Sequence, residues 1–184
     1  MTKKHPAIFL DRDGVIIENR ANYVRSWDDV EIYPQALQAL TAVAHSPYKI
    51  IIVTNQSAVG RGIISLETAH AINEQLLQII RMGNGRVDGV FMCPHAPEAQ
   101  CNCRKPQPGL LLQAAAQHNI DLSESYMIGD ALSDLQAGLA AGVPNVILLR
   151  TGRGQKQAQL PAAAAFHPIT LCDTLGDALS HIIF

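Results

Sequence analysis

Short, almost wholly apolar runs recur along the chain: AIFL at 7–10, KIIIVTN at 49–55, VDGVFMC at 87–93, SYMIGD at 125–130 and NVILLR at 145–150. Strands buried on both faces read as continuous apolar runs of this kind, whereas half-exposed strands alternate. The stretches between them carry helical periodicity instead. Pro34 opens one, with Leu37, Leu40, Val43 and Ala44 on one face. Ser65 is placed to cap a second, whose stripe is Ala69, Ile72, Leu76, Ile79 and Ile80. A third covers 108–118, and a fourth runs from Leu132 to Ala141 with Gly142 as its stop. Alternation of this kind folds as βαβ units. The expected class is α/β, a doubly wound, Rossmann-like parallel sheet with helices on both faces. The 184 residues suit one domain over 1–184. Residues 151–168 are the loosest stretch and read as a loop before a short final helix.

The first run ends in Asp11-Arg12-Asp13-Gly14, three charges and a glycine in four positions. A turn is the bland reading, since Asp and Gly favour turns. The other runs argue against it. Thr54 and Asn55 end the second and Gly129-Asp130 the fourth, and in a parallel sheet these ends share the edge at which ligands bind. Asp11, Thr54 and Asp130 therefore converge on one crevice, which turn preference does not explain. Carboxylates gathered there would repel one another without a hard cation between them. Mg²⁺ suits such a site, because it works with one or two carboxylates, waters and a substrate phosphate. One oxygen of Asp11 is then free to attack phosphorus and form an aspartyl phosphate. Asp13, two positions further along an extended chain, points to the same side. It is placed to protonate a leaving alcohol and then to take a proton from the hydrolytic water.

Four separated motifs, DRDG, TNQS, RKP and GDALSD, lie in this order between residues 11 and 134. As an ordered set they resemble the haloacid dehalogenase phosphatase superfamily, and the resemblance covers most of the chain. It implies Asp11 as nucleophile, Asp13 as acid/base, Thr54 and Asn55 as holders of the phosphoryl oxygens, and Lys105 as the counter-charge. Mg²⁺ would be bound by Asp130, Asp11 and the backbone carbonyl of Asp13. Asp134, one helical turn after Asp130, would orient the waters of the ion or Lys105.

A second constellation is independent of the first. Cys93, His95, Cys101 and Cys103 fall within eleven residues of CPHAPEAQCNCRKP. Three thiols and an imidazole make a closed tetrahedral zinc site of structural type. A disulfide reading needs an oxidising compartment, and buried structural cysteines would be scattered, as Cys172 is. Zinc here would fold the loop that ends in Arg104-Lys105 and fix two cations beside the crevice.

With this loop the chain resembles a cap-less branch of the superfamily that contains heptose bisphosphate and histidinol-phosphate phosphatases. The stretches after Gly14 and Asn55 are too short for a large cap domain. TNQSAVGRG, RKPQPG, SYMIGD and LLRTG look closer to the heptose enzymes. The resemblance implies a Mg²⁺-dependent phosphomonoester hydrolase acting on D-glycero-D-manno-heptose 1,7-bisphosphate at its 7-phosphate. Histidinol phosphate or another small sugar phosphate is the alternative substrate. A non-catalytic phosphate-binding protein is the alternative from a different class, and the Asp11/Asp13 pair speaks against it, since binding needs no general acid. Without a cap, substrate contacts come from loops; by resemblance they involve the segment from Glu18 to Tyr23, together with Arg12, Asn55, Gln56, Ser57, Arg61 and Arg104. One position departs from the pattern. Relatives usually carry Lys or Arg after GD, where this chain has Ala131; Arg104, Arg150 or Arg153 could supply that charge from another loop.

Composition excludes other classes. A hydrophobic content of 48% with 16% charged residues argues against disorder. A net charge of −2 and the lack of a Lys/Arg run weigh against nucleic acid as partner, including a 3′-phosphatase role. No apolar run reaches the length of a signal peptide or a membrane span. The expectation is a cytoplasmic monomer with reduced thiols, acting on a small phosphorylated molecule. His5, His45, His70, His118, His167 and His181 lack motif partners, and Trp27 reads as packing beside the substrate loop.

Overall fold

The computed structural model describes residues 3–166 and 168–183. Its strands are β1 (Ala7–Leu10), β2 (Lys49–Asn55), β3 (Gly89–Cys93), β4 (Tyr126–Gly129), β5 (Asn145–Leu149) and β6 (Thr170–Cys172). They form one all-parallel sheet in the order β3-β2-β1-β4-β5-β6. The helices are α1 (Pro34–Ala42), α2 (Ser57–Gly60), α3 (Leu66–Met82), α4 (Gly109–His118), α5 (Leu132–Ala141), α6 (Gly154–Gln157) and α7 (Leu175–Ile183).

The continuous apolar runs are buried on both faces because side chains alternate along each strand. Ile8, Leu10, Ile50 and Ile52 face α1, α3 and α7 through Leu40, Leu76 and Leu179. Their neighbours Ala7, Phe9, Ile51 and Val53 face α4 and α5 through Leu110, Leu111 and Ala137. Leu132 and Leu135 of α5 pack with Leu148 and Ala163 in a smaller third cluster. Helix ends follow the local chemistry. The Ser65 hydroxyl accepts the Thr68 N–H at the start of α3. Gly142 stops α5 at φ 92°, a left-handed conformation that glycine adopts without steric cost.

Two features differ from the sequence reading. Residues 151–168 are not simply a loop: they hold α6 and a 3-10 run over Pro161–Phe166, while His167 lies outside the described residues. The three-residue strand β6 follows, pairing Leu149 with Cys172. It is too short to carry a periodicity of its own.

The strand order reverses between β1 and β4, and such a switch point opens a crevice at the carboxyl ends of the strands. Register sets what stands there. Leu10 is level with Ile52 and Ile128, so Asp11 leaves the sheet flanked by Val53 and Gly129, with Thr54 and Asp130 one residue further on. Between β1 and α1 the described chain holds only a 3-10 turn (Trp27–Asp29) and two isolated bridges, Asp13 to Ile17 and Ile17 to Ile32. Trp27 packs against the core as expected.

Candidate active site

A cavity of about 570 Å³ opens at the switch point and is lined by Asp11, Asp13, Tyr23, Gln56, Lys105 and Asp134, among others. Asp11 is 5% exposed, and its backbone N–H donates to Ile128 O at 3.0 Å, fixing it to the end of β4. Lys105, 3% exposed, reaches in from the loop before α4. Its Nζ lies 2.9 Å from Asp11 Oδ1 and 2.7 Å from Asp134 Oδ1, and donates to Val53 O at 2.8 Å. Burial opposes charge on this ammonium, but Asp11 and Asp134 outweigh it and hold its pKa above the ordinary lysine value. Asn55 fixes the backbone that carries Lys105: its Nδ2 donates to Lys105 O and its Oδ1 accepts the Lys105 N–H, both at 3.0 Å.

Ligand oxygens of Asp11, Asp130 and Asp134 lie within 4.8 Å of one another, all three residues buried. Burial raises the Asp11 carboxyl to about 7, Lys105 opposing and the carboxylates of Asp134, Asp130 and Asp13 adding to the rise. Such a group of hard oxygen donors, under-neutralised by its surroundings, fits a divalent cation. Asp130 is raised by burial too, against the pull of Arg153. Arg153 bonds it through its backbone N–H at 2.8 Å and its guanidinium at 3.1–3.3 Å, and Asn19 Nδ2 adds a bond at 3.2 Å. Gly14, at φ 84°, presses on the same carboxylate; a Cβ there would come within 2.1 Å of Oδ2. Asp134 accepts the Ala131 N–H at 3.0 Å besides its bond to Lys105.

Asp13 is held from several sides. Gln56 Nε2 donates to its Oδ2 at 2.9 Å, Thr54 Oγ1 approaches the same oxygen at 3.4 Å, and Arg12 spans both carboxylate oxygens at 3.0 and 3.1 Å. Its side chain keeps 21% exposure toward the cavity.

The cysteine loop leads directly into Arg104, Lys105 and Pro106, which line the cavity. Cys93 Sγ lies 3.6 Å from His95 Nδ1 and from Cys101 Sγ, while Cys103 Sγ lies 3.3 Å from His95 Nδ1 and 3.4 Å from Cys101 Sγ. All cysteines are free thiols. A tetrahedron with metal–sulfur bonds of about 2.3 Å has edges of roughly 3.7 Å, so the four could hold a metal ion with little adjustment. Desolvation pushes the Cys101 thiol up, but hydrogen bonding from Cys103 wins and brings it down to about 6.

Of the residues expected at the substrate, Tyr23, Asn55, Gln56, Ser57 and Arg104 line the cavity. Arg12 does not. It is 1% exposed, turned inward onto both carboxylate oxygens of Asp13 and onto Asn73 Oδ1 at 2.8 Å. Glu18 is drawn away from the cavity by the Tyr33 hydroxyl at 2.9 Å and the Asn19 N–H at 3.1 Å. Arg61 pairs with Glu98 at 3.3 Å, tying α2 to the cysteine loop. Arg150 points elsewhere, to Asp173 at 2.9 Å. Asn19 and Arg20 of the segment 18–23 line the cavity too, as does Arg153, one of the cations offered for the charge missing at Ala131, while Ser133 lines it without having been singled out as a substrate contact.

The HAD-hydrolase-like family model matches residues 102–178. D-glycero-beta-D-manno-heptose-1,7-bisphosphate 7-phosphatase of Helicobacter pylori strain J99 is 42% identical over 150 residues, 81% of this chain and 86% of that protein. The protein of that name from Escherichia coli K12 is 37% identical over 160 residues, 83% of each. A crystal structure of D,D-heptose 1,7-bisphosphate phosphatase from B. bronchiseptica, complexed with magnesium and phosphate, superposes with a TM-score of 0.88 at 33% identity, covering 97% of this chain and 98% of that one. With identities of 37–42% over more than four-fifths of the chain, and acids and an ammonium gathered at the switch point of its sheet, the chain belongs to the HAD-like hydrolases, in the family of the heptose-1,7-bisphosphate 7-phosphatases.

Proposed function

We propose that the protein hydrolyses a phosphomonoester through an aspartyl phosphate on Asp11, and that its substrate is D-glycero-beta-D-manno-heptose 1,7-bisphosphate, cleaved at the 7-phosphate. The observation that carries this is the meeting of Asp11 and Asp13, at the end of β1, with Lys105 from the distant loop before α4 in one cavity. Relatives 37–42% identical that bear this substrate in their names support the choice of sugar.

Asp11 attacks phosphorus while the bond to the C7 oxygen breaks, and its electron pair leaves with that oxygen. Asp13, oriented by Gln56 and Arg12, gives the leaving oxygen a proton. It then takes one from the water that attacks the phosphorus, which frees phosphate and restores Asp11. Lys105 carries positive charge to where the phosphoryl oxygens gather. Asp11, Asp130 and the Asp13 carbonyl would hold Mg²⁺, which when bound supplies further charge against the carboxylates and the phosphoryl group. Arg104 and Arg153 offer guanidinium groups to the second phosphate. Cys93, His95, Cys101 and Cys103 would hold a structural zinc that stiffens the loop leading to Arg104 and Lys105.

In this reading residues 1–184 are one domain, and the protein is a monomer of the cytoplasm, where the clustered thiols stay reduced. Among the described residues no helix is long and apolar enough to cross a membrane. Phosphorus NMR on the purified protein with Mg²⁺ and heptose 1,7-bisphosphate tests the assignment. Loss of the 7-phosphate resonance with the 1-phosphate intact is expected. Loss of the 1-phosphate first, or faster turnover of histidinol phosphate, would overturn the substrate.

A further inference from the structure

Helix α3 carries one polar residue within its buried stripe. Asn73 is 5% exposed among Ile72, Leu76 and Leu77, and an unpaired amide there would cost free energy. Its carbonyl oxygen accepts Arg12 Nη1 at 2.8 Å, across 61 residues of sequence. Arg12 is among the largest fully buried side chains of the protein. The rest of its guanidinium faces its own neighbour, with Nε on Asp13 Oδ2 and Nη2 on Asp13 Oδ1.

Successive side chains of an extended strand point apart, so Arg12 and Asp13 meet only because the chain bends after β1. The Arg12 carbonyl accepts the N–H groups of Ile16 and Ile17 at 2.9 and 3.1 Å, and Gly14 N–H donates to Ile17 O at 2.7 Å. A planar guanidinium with two edges committed transmits orientation, which a point charge cannot do. One edge is anchored in the core at Asn73 and the other sets the plane of the Asp13 carboxylate.

We propose that Asn73 and Arg12 are positioning residues for the acid/base step, a buried relay from α3 that aims Asp13 at the leaving oxygen. Neither side chain lines the cavity, and neither touches substrate in this account. The proposal rests on Asp13 being the proton donor, and its test separates the two ideas.

The experiment compares phosphorylation of Asp11 in rapid-mix single turnovers for two leaving groups. One is the sugar alkoxide, which needs a proton, and the other is a nitrophenolate, which does not. In Asn73→Leu the sugar phosphate should slow on the order of ten- to a hundred-fold, while the nitrophenyl ester changes little. Asn73→Asp, which keeps an acceptor for Arg12, should recover most of the loss. Arg12→Lys keeps the charge without the fork and should show the same split, so a poorly folding Asn73→Leu does not leave the proposal open. Equal slowing of both esters, or none, in the variants that fold overturns the relay. If Asp13→Asn itself shows no leaving-group split, the acid/base assignment fails instead.

Discussion

Replacing Lys105 with Met removes the ammonium shared by Asp11 and Asp134 while nearly preserving side-chain volume. The ammonium is 3% exposed and sits 2.9 and 2.7 Å from the two carboxylates. Each such charged hydrogen bond contributes about 1.5–3 kcal/mol, and removing one partner of a buried ion pair costs about 3–5 kcal/mol. At about 2–4 °C per kcal/mol for a chain of this size, the melting temperature should fall by roughly 6–20 °C. Typical total stabilities of about 5–15 kcal/mol leave the variant folded. The deficit should depend on pH. Asp11 already stands raised to about 7 with Lys105 present, and it rises further without it. A carboxyl whose folded value exceeds its unfolded one binds more protons in the fold. Its contribution is therefore full below the unfolded value and lost as pH rises through the folded one. The variant should lose less at pH 5 than at pH 8. Fluorimetric melts at both values check this. A loss under about 2 °C, or one as large at pH 5 as at pH 8, would refute the view that Lys105 neutralises the cluster.

By the same linkage, Mg²⁺ added to metal-free protein should raise the melting temperature more at pH 8 than at pH 5, where protons already neutralise Asp11; equal shifts would contradict the carboxylate cluster as the cation site. Cys101→Ser should lower the melting temperature by several degrees and raise KM more than it lowers kcat, since Arg104 is anchored to the cysteine loop through its bond to His95 O. Steady-state kinetics beside thermal melts will show whether both move together. Ala131→Lys should leave the KM ratio of bisphosphate to monophosphate unchanged, because Arg104 and Arg153 already bring charge to the cavity and a cation at the start of α5 opposes the helix dipole. A selective fall in KM for the bisphosphate would show that the missing cation matters.

What could be read from the sequence was what is encoded locally. AIFL and KIIIVTN announce strands because burial on both faces leaves no polar position to interrupt them, and the strand ends then bring Asp11, Thr54 and Asp130 to one edge. The cysteine cluster was legible for the same reason: four ligands within eleven residues need no tertiary information to be counted together. Side-chain direction was not legible. The resemblance makes Arg12 a substrate contact, yet its partner Asn73 lies 61 residues away on α3. The cue was present, a polar residue inside an apolar helical stripe, but periodicity alone does not say which distant group it satisfies. Glu18 likewise turns to Tyr33, and Arg153 finds Asp130 only once α6 and its loop fold against Gly14. The strand β6, three residues long, depends on β5 for its existence.

The central claim is that Asp11 becomes phosphorylated. Borohydride reduces an acyl phosphate and converts the aspartate that bore it into homoserine, which peptide mass spectrometry locates by residue. Quenching the enzyme with borohydride during turnover of heptose 1,7-bisphosphate should place homoserine at position 11, in the presence of substrate only. Homoserine at position 13 or elsewhere, or none at all while phosphate is still released, would contradict the account.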